Sequence, residues 1–210
     1  MPISENLSHI LRAVAAALQT PVIAILLLLM AAALFLLGSL VVEAFTERAY
    51  LRAKLPAFAD ALRESGATEA AIEDSGLPAR QRRVLTELTR HPALFPAMRE
   101  SLAVRLVAAE RARCEGIVRV SDLIARLGPL FGLLGTLIPL GPGIIALGRG
   151  DTYTLSLSLL TAFDTTIAGL IAAALAFVIS AVRKRWYASY MASLEMAAEC
   201  VLEIENEKAL

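Results

Sequence analysis

Apolar residues gather in three long runs along this chain. Positions 13–42 carry no charge and are densest over 21–42, PVIAILLLLMAAALFLLGSLVV. A second charge-free run covers 127–148, and a third covers 152–182 with Asp164 as its one charge. Each exceeds the roughly 20 residues a helix needs to cross about 30 Å of hydrocarbon. The pattern predicts three transmembrane helices, TM1 at 21–42, TM2 at 127–148 and TM3 at 154–182. The first run is too long for the apolar region of a signal peptide, and only Arg12 supplies a basic charge ahead of it, so it reads as a retained span.

The polar residues fall between and after these runs. Segment 43–126 holds 14 Lys/Arg and 12 Asp/Glu, and prolines at 56, 78, 92 and 96 divide it into short helices. From 97 to 127 there is no proline and only Gly116. Leu102, Leu106, Ala109, Ile117, Val120, Ile124 and Leu127 keep helical spacing there, broken at Arg113, so one long helix should run into TM2. Trp186, Tyr190, Leu194, Ala197, Val201 and Ile204 recur at spacings of four and three, which extends TM3 past its apolar end. The fold class expected is an all-α integral membrane protein, with TM2 and TM3 continued into a cytoplasmic helical bundle. Residues 1–20 form an outside amphipathic segment and 183–210 a C-terminal helix.

Basic residues near the span ends set the orientation. Arg48, Arg52 and Lys54 follow TM1; Arg111, Arg113, Arg119 and Arg126 precede TM2; Arg183, Lys184 and Arg185 follow TM3. Only Arg12 and Arg149 lie on the other side. The expected topology is N-terminus outside, 43–126 cytoplasmic, C-terminus cytoplasmic, in the inner (cytoplasmic) membrane.

Composition narrows the function classes. The 210 residues are 57% hydrophobic, against roughly 45–50% in soluble domains, with a mean hydropathy of +0.64. Lys+Arg and Asp+Glu number 20 each, so no bulk positive charge is available for phosphate neutralisation, and nucleic acid is excluded as a partner on that ground. Cys114 and Cys200 make neither a disulfide framework nor a zinc cluster. His9 and His91 sit near no nucleophile, and there is no P-loop or dinucleotide glycine pattern, so neither an enzyme nor a bound cofactor or metal is expected.

TM1 is rich in Leu and Ala and reads as lipid-facing. TM2 places Gly128, Gly132 and Gly135 on one face, which permits close helix contact. That face serves either tight packing or a smooth wall on which a partner helix sits within a pore. Pro139 and the Gly-Pro-Gly at 141–143 predict that TM2 loses regular helix early, with an irregular stretch near the outer face. TM3 carries Thr161, Asp164, Thr165, Thr166 and Gly169. An intramembrane acid costs a few kcal/mol and by default marks an ion or proton route; the alternative is a structural acid capped by hydroxyls. Residues 164 and 166 lie about 200° apart on a helix, so they do not share one narrow pore face. Two depths remain open for Asp164, mid-membrane if Thr136 and Thr166 are level, and the outer mouth if they are not.

Two segments carry a family resemblance. Gly-Pro-Leu-Phe-Gly-Leu-Leu-Gly-Thr at 128–136 resembles the P-x-x-G-L-x-G-T signature of the MotA/TolQ/ExbB proton-channel family, and Thr-Ile-Ala-Gly-Leu at 166–170 resembles its T-x-x-G-L. The three-helix topology is that of the ExbB/TolQ branch. The resemblance implies a homo-oligomer, a pentamer, around transmembrane helices of a small single-span ExbD/TolR/MotB-like partner. That partner brings an essential membrane aspartate, and membrane lipids surround the ring. The translocated ion is the proton, with sodium as the alternative, and its flow drives work at the cell envelope. By position Thr136 and Thr166 are the pore threonines. One departure stands out: the family often has a glutamate five residues before the TM3 threonine, and here that place is Thr161. Asp164 replaces that acid, or the subgroup handles another ion, or the acid sits at a subunit boundary. A competing reading is a non-conducting oligomeric scaffold for the same kind of partner.

Overall fold

The computed structural model describes residues 2–47, 69–73, 77–90 and 95–207. Pro56, Pro92, His91 and the basic residues Arg48, Arg52 and Lys54, used above for helix punctuation and topology, lie outside them. The described residues are all-helical: α1 (Pro2–Glu47), α2 (Glu69–Glu73), α3 (Ala79–Thr89), α4 (Pro96–Gly148) and α5 (Thr152–Glu207). Three of these are long and apolar enough to cross a membrane: α1 over Ala13–Phe45, α4 and α5. Residues 2–20 are helical and continuous with the first span, and Pro21 lies inside α1.

α4 runs unbroken through Pro129, Pro139 and Pro142, which overturns the expected early end of TM2. Each proline forfeits one backbone bond. Unwinding the segment in hydrocarbon would strand several groups at several kcal/mol each, so continued helix is the cheaper solution. The helix stops instead at Gly148. Gly150 takes a left-handed φ of 76°, and the N–H of Asp151 bonds back to the Ala146 carbonyl at 2.9 Å. Asp151 then caps α5 by accepting the Thr154 N–H at 3.0 Å, and these bonds hold its carboxyl below the usual range.

The chain divides into two compact units. The first comprises 1–39 and 119–181. Here α1 presents Val22, Leu26, Leu29 and Ala33 inward and its remaining faces are exposed; Leu29 and Ala33 cluster with Ile124, Ala172 and Ala176. The α4–α5 contact is made of small residues, with Gly128, Gly132 and Gly135 against Thr165, Gly169 and Ala173. Ser180 donates to the Asp122 carboxylate at one end of this unit.

The second unit comprises 40–118 and 182–210. Its core joins Ile72, Leu77, Leu85 and Leu88 to Ala103 of α4 and to Met191, Leu194, Ala197 and Val201 of α5. The Tyr190–Leu194–Ala197–Val201 periodicity is thus the packing face. The stripe read for 97–127 packs in part: Ile124 is buried, Leu102, Leu106, Ile117 and Leu127 are half-buried, Ala109 and Val120 are exposed, and Arg99, Ala103, Cys114, Val118 and Ser121 also face inward. Gln81, 2% exposed, donates its amide to the Tyr190 carbonyl at 3.0 Å. Arg111 and Glu195 pair across α4 and α5.

Candidate functional site

Close helix approach positions the site in the first unit. A Cβ placed on Gly128 would lie 2.6 Å from the Gly169 carbonyl oxygen, and one on Gly169 would lie 2.9 Å from the Gly132 Cα. A Cβ on Gly135 would lie 2.6 Å from the Thr165 side chain, and one on Gly143 3.0 Å from that of Ser158. No side chain fits at Gly128 or Gly169 while the backbones stay where they are. The glycine face of α4 therefore lies against α5 of the same chain.

These contacts fix the antiparallel register. Gly135 faces Thr165 and Gly132 faces Thr166, so Thr136 lies level with Asp164, Thr165 and Thr166. Thr136 stands ten residues from Arg126 and thirteen from Arg149, about 15 and 20 Å along the helix. The open question of depth thus has an answer, with Asp164 near the middle of the apolar run rather than at its outer mouth.

The hydroxyls at this level are turned to their own helices. Thr136 donates to the Leu133 carbonyl at 2.7 Å, Thr161 to Leu157 at 3.0 Å, and Thr166 to Ala162 at 3.1 Å. Thr165 is buried against Gly135 and shares its proton between the Thr161 and Ala162 carbonyls. None of these hydroxyls caps Asp164. Its side chain is exposed on the outer face of α5 and has no hydrogen bond or ion pair among the described residues. Thr166 is half-buried toward α4, so the two groups point different ways, as helical geometry requires. Leu160 and Ile167, one turn either side of Asp164, are exposed with it. The arrangement offers an unsatisfied mid-run carboxyl to whatever covers this face, beside threonine carbonyl and hydroxyl groups at the same level.

A second polar constellation escaped sequence reasoning. In the second unit Arg183, 4% exposed, donates Nε to Glu43 Oε2 at 3.2 Å, and the Tyr187 hydroxyl donates to Glu43 Oε1 at 2.8 Å. Nearby, Arg113 Nε and Nη2 grip Glu110, which also accepts the Tyr190 hydroxyl at 3.3 Å. Burial first, and then the adjacent glutamate, hold both tyrosines protonated well above the ordinary tyrosine range. The partners are up to 144 residues apart, and no spacing rule links them. The available signal was only that Glu43 and Arg183 are the first charges after two apolar runs.

No curated protein matches the chain. A family model, that of the MotA/TolQ/ExbB proton channel family, matches residues 81–196. That stretch is over half the chain and includes all of α4, most of α5 and every glycine and threonine of the α4–α5 contact. With three helices long and apolar enough to span, a continuous α4 and α5, and that match, the chain belongs to the MotA/TolQ/ExbB family and is a multi-pass membrane protein of the proton-channel type.

Proposed function

We propose that this chain is the ring-forming subunit of an ion-driven envelope motor. Five copies surround the transmembrane helices of a small single-span partner of the ExbD/TolR/MotB type, whose membrane aspartate carries the proton. Thr136 and Thr166 supply polar groups at the level of that acid, and Asp164 and Thr161 extend the polar layer. Thr165, with Gly128, Gly132, Gly135 and Gly169, holds α4 and α5 in register. The ion is the proton rather than sodium, and no cofactor takes part.

The observation that carries this reading is Asp164, exposed, without a partner among the described residues, and level with Thr136 and Thr166. A charged side chain at that depth costs about 2.5–3.5 kcal/mol on insertion scales, so it belongs against protein or water rather than lipid. Assembly into a ring supplies that cover. The basic residues from Arg113 to Arg126 and at 183–185 support a cytoplasmic second unit, with the N-terminus outside.

The test is proton uptake into liposomes holding the chain with its partner, read with a pH-sensitive dye. Asp164→Asn and Thr166→Val should each cut the flux, and replacing sodium with potassium should leave it unchanged. Full flux in both variants removes the proposed site. A mass measurement on the detergent-solubilised complex should return five copies of this chain.

A further inference from the structure

The second unit contains a cavity of about 440 Å³, within the roughly 300–1,000 Å³ of ordinary ligand sites, and the proposed ion pathway does not use it. Its wall brings together Arg80, Arg113 and Arg183 with Glu43, Tyr187 and Tyr190. The charges do not cancel. Glu43 is already held by Arg183 and Tyr187, and Glu110, behind the wall, is held by Arg113 and Tyr190. Both carboxylates are therefore committed as acceptors, and among the described residues the lining keeps a surplus of positive charge. Arg80 is exposed and has no ion pair among the described residues. Glu110 takes Nε and Nη2 of Arg113, which leaves Nη1 uncommitted.

The backbone agrees with the side chains. Pro78, Ala79 and Arg80 line the cavity with the start of α3, an eleven-residue helix. Pro78 at the N-cap has no side-chain acceptor, and the first turn has no acidic residue. Among the described residues, the first-turn N–H groups thus lack the usual internal anion. Two forked guanidinium donors and a helix start match an oxyanion of tetrahedral shape.

We propose that this cavity binds a phosphate group. Glu43 and Arg183 are the first charges beyond the apolar runs 21–42 and 152–182, so the wall begins at the depth where lipid headgroups begin. A phospholipid headgroup and a soluble phosphate share the required chemistry. Arg80 is the discriminating contact, since Arg113 and Arg183 also serve the fold.

The test uses full-length protein in detergent, titrated separately with dioctanoyl phosphatidylglycerol and with inorganic phosphate. Wild type should bind one equivalent saturably, and Arg80→Glu should weaken it about tenfold or more, the loss of one or two charge-assisted bonds. Arg83→Glu, on the same helix but outside this cavity, is the matched control and should bind as wild type. Arg80-dependent binding of the lipid alone assigns the site to a headgroup, and of inorganic phosphate alone to a soluble ligand. Absence of saturable binding by both probes overturns the proposal, as does equal weakening by the two substitutions. Melting temperatures matched to wild type establish that each variant is folded.

Discussion

Helices α4 and α5 pass through both compact units, and α5 meets its neighbours differently in the two. In the first unit α5 turns Gly169, Ala172 and Ala176 inward while Ile167, Leu170 and Phe177 face outward. In the second unit the same helix buries Met191, Leu194 and Val201. α4 has Gly128, Gly132 and Gly135 inside and Leu130, Leu133 and Leu137 outside in the first unit, and keeps small inward residues, Ala103 and Cys114, in the second. In water, burial of apolar area drives packing, so large side chains go inside. In lipid the tails are as apolar as leucine, and contact is driven by close approach, so small side chains go inside. Along α5 the inward residues thus shift from mainly small to mainly larger between the two units.

The units also treat charge differently. The second encloses Glu43 and Glu110 in complete sets of arginine and tyrosine donors. The first leaves Asp164 without a partner among the described residues. A charge buried for structure is satisfied within the chain, whereas one left open at mid-run points to an assembly that completes it.

The largest effect expected from this contrast is at Gly169. Gly169→Leu drives a side chain into the Gly128 carbonyl and should abolish the folded chain, seen as loss of a monodisperse peak in detergent. Even Gly169→Ala should cost about 1–3 kcal/mol, as overpacking does. Next come two leucines of opposite setting. Leu194→Ala, fully buried in the second unit, should destabilise by about 4 kcal/mol, whereas Leu28→Ala, 68% exposed on α1, should change stability by less than about 0.5 kcal/mol. Equal costs in chemical denaturation would break the comparison.

Glu43→Ala removes two charge-assisted bonds beside a buried arginine and should cost about 2–3 kcal/mol, and Glu43→Gln should recover part of it. The smallest effect is alkaline. Folded Tyr187 and Tyr190 titrate above the unfolded value near 10, so the unfolded state loses protons first. Stability should hold below about pH 10 and fall as pH climbs toward the folded values. Tyr187→Phe should shrink that alkaline loss, measured by unfolding at stepped pH.

The apolar runs were enough to establish three spans, because hydrocarbon thickness sets a length that the sequence displays directly. The periodicity after Val182 likewise announced the extension of α5, since a water-facing helix buries its large apolar side. The spacing of Gly128, Gly132 and Gly135 announced a close contact. Sequence could not say which helix met that face, because a glycine carries no address. Nor could it tell that the leucines of TM2 point away from the protein, since hydropathy is blind to the side that lipid solvates. Pro139 and Pro142 misled for a related reason: each removes one backbone bond, and in hydrocarbon unwinding the helix costs more than keeping it. The tertiary structure alone decided that Asp164 is level with Thr136 and open to the outside, because depth and exposure follow from the register of two antiparallel helices.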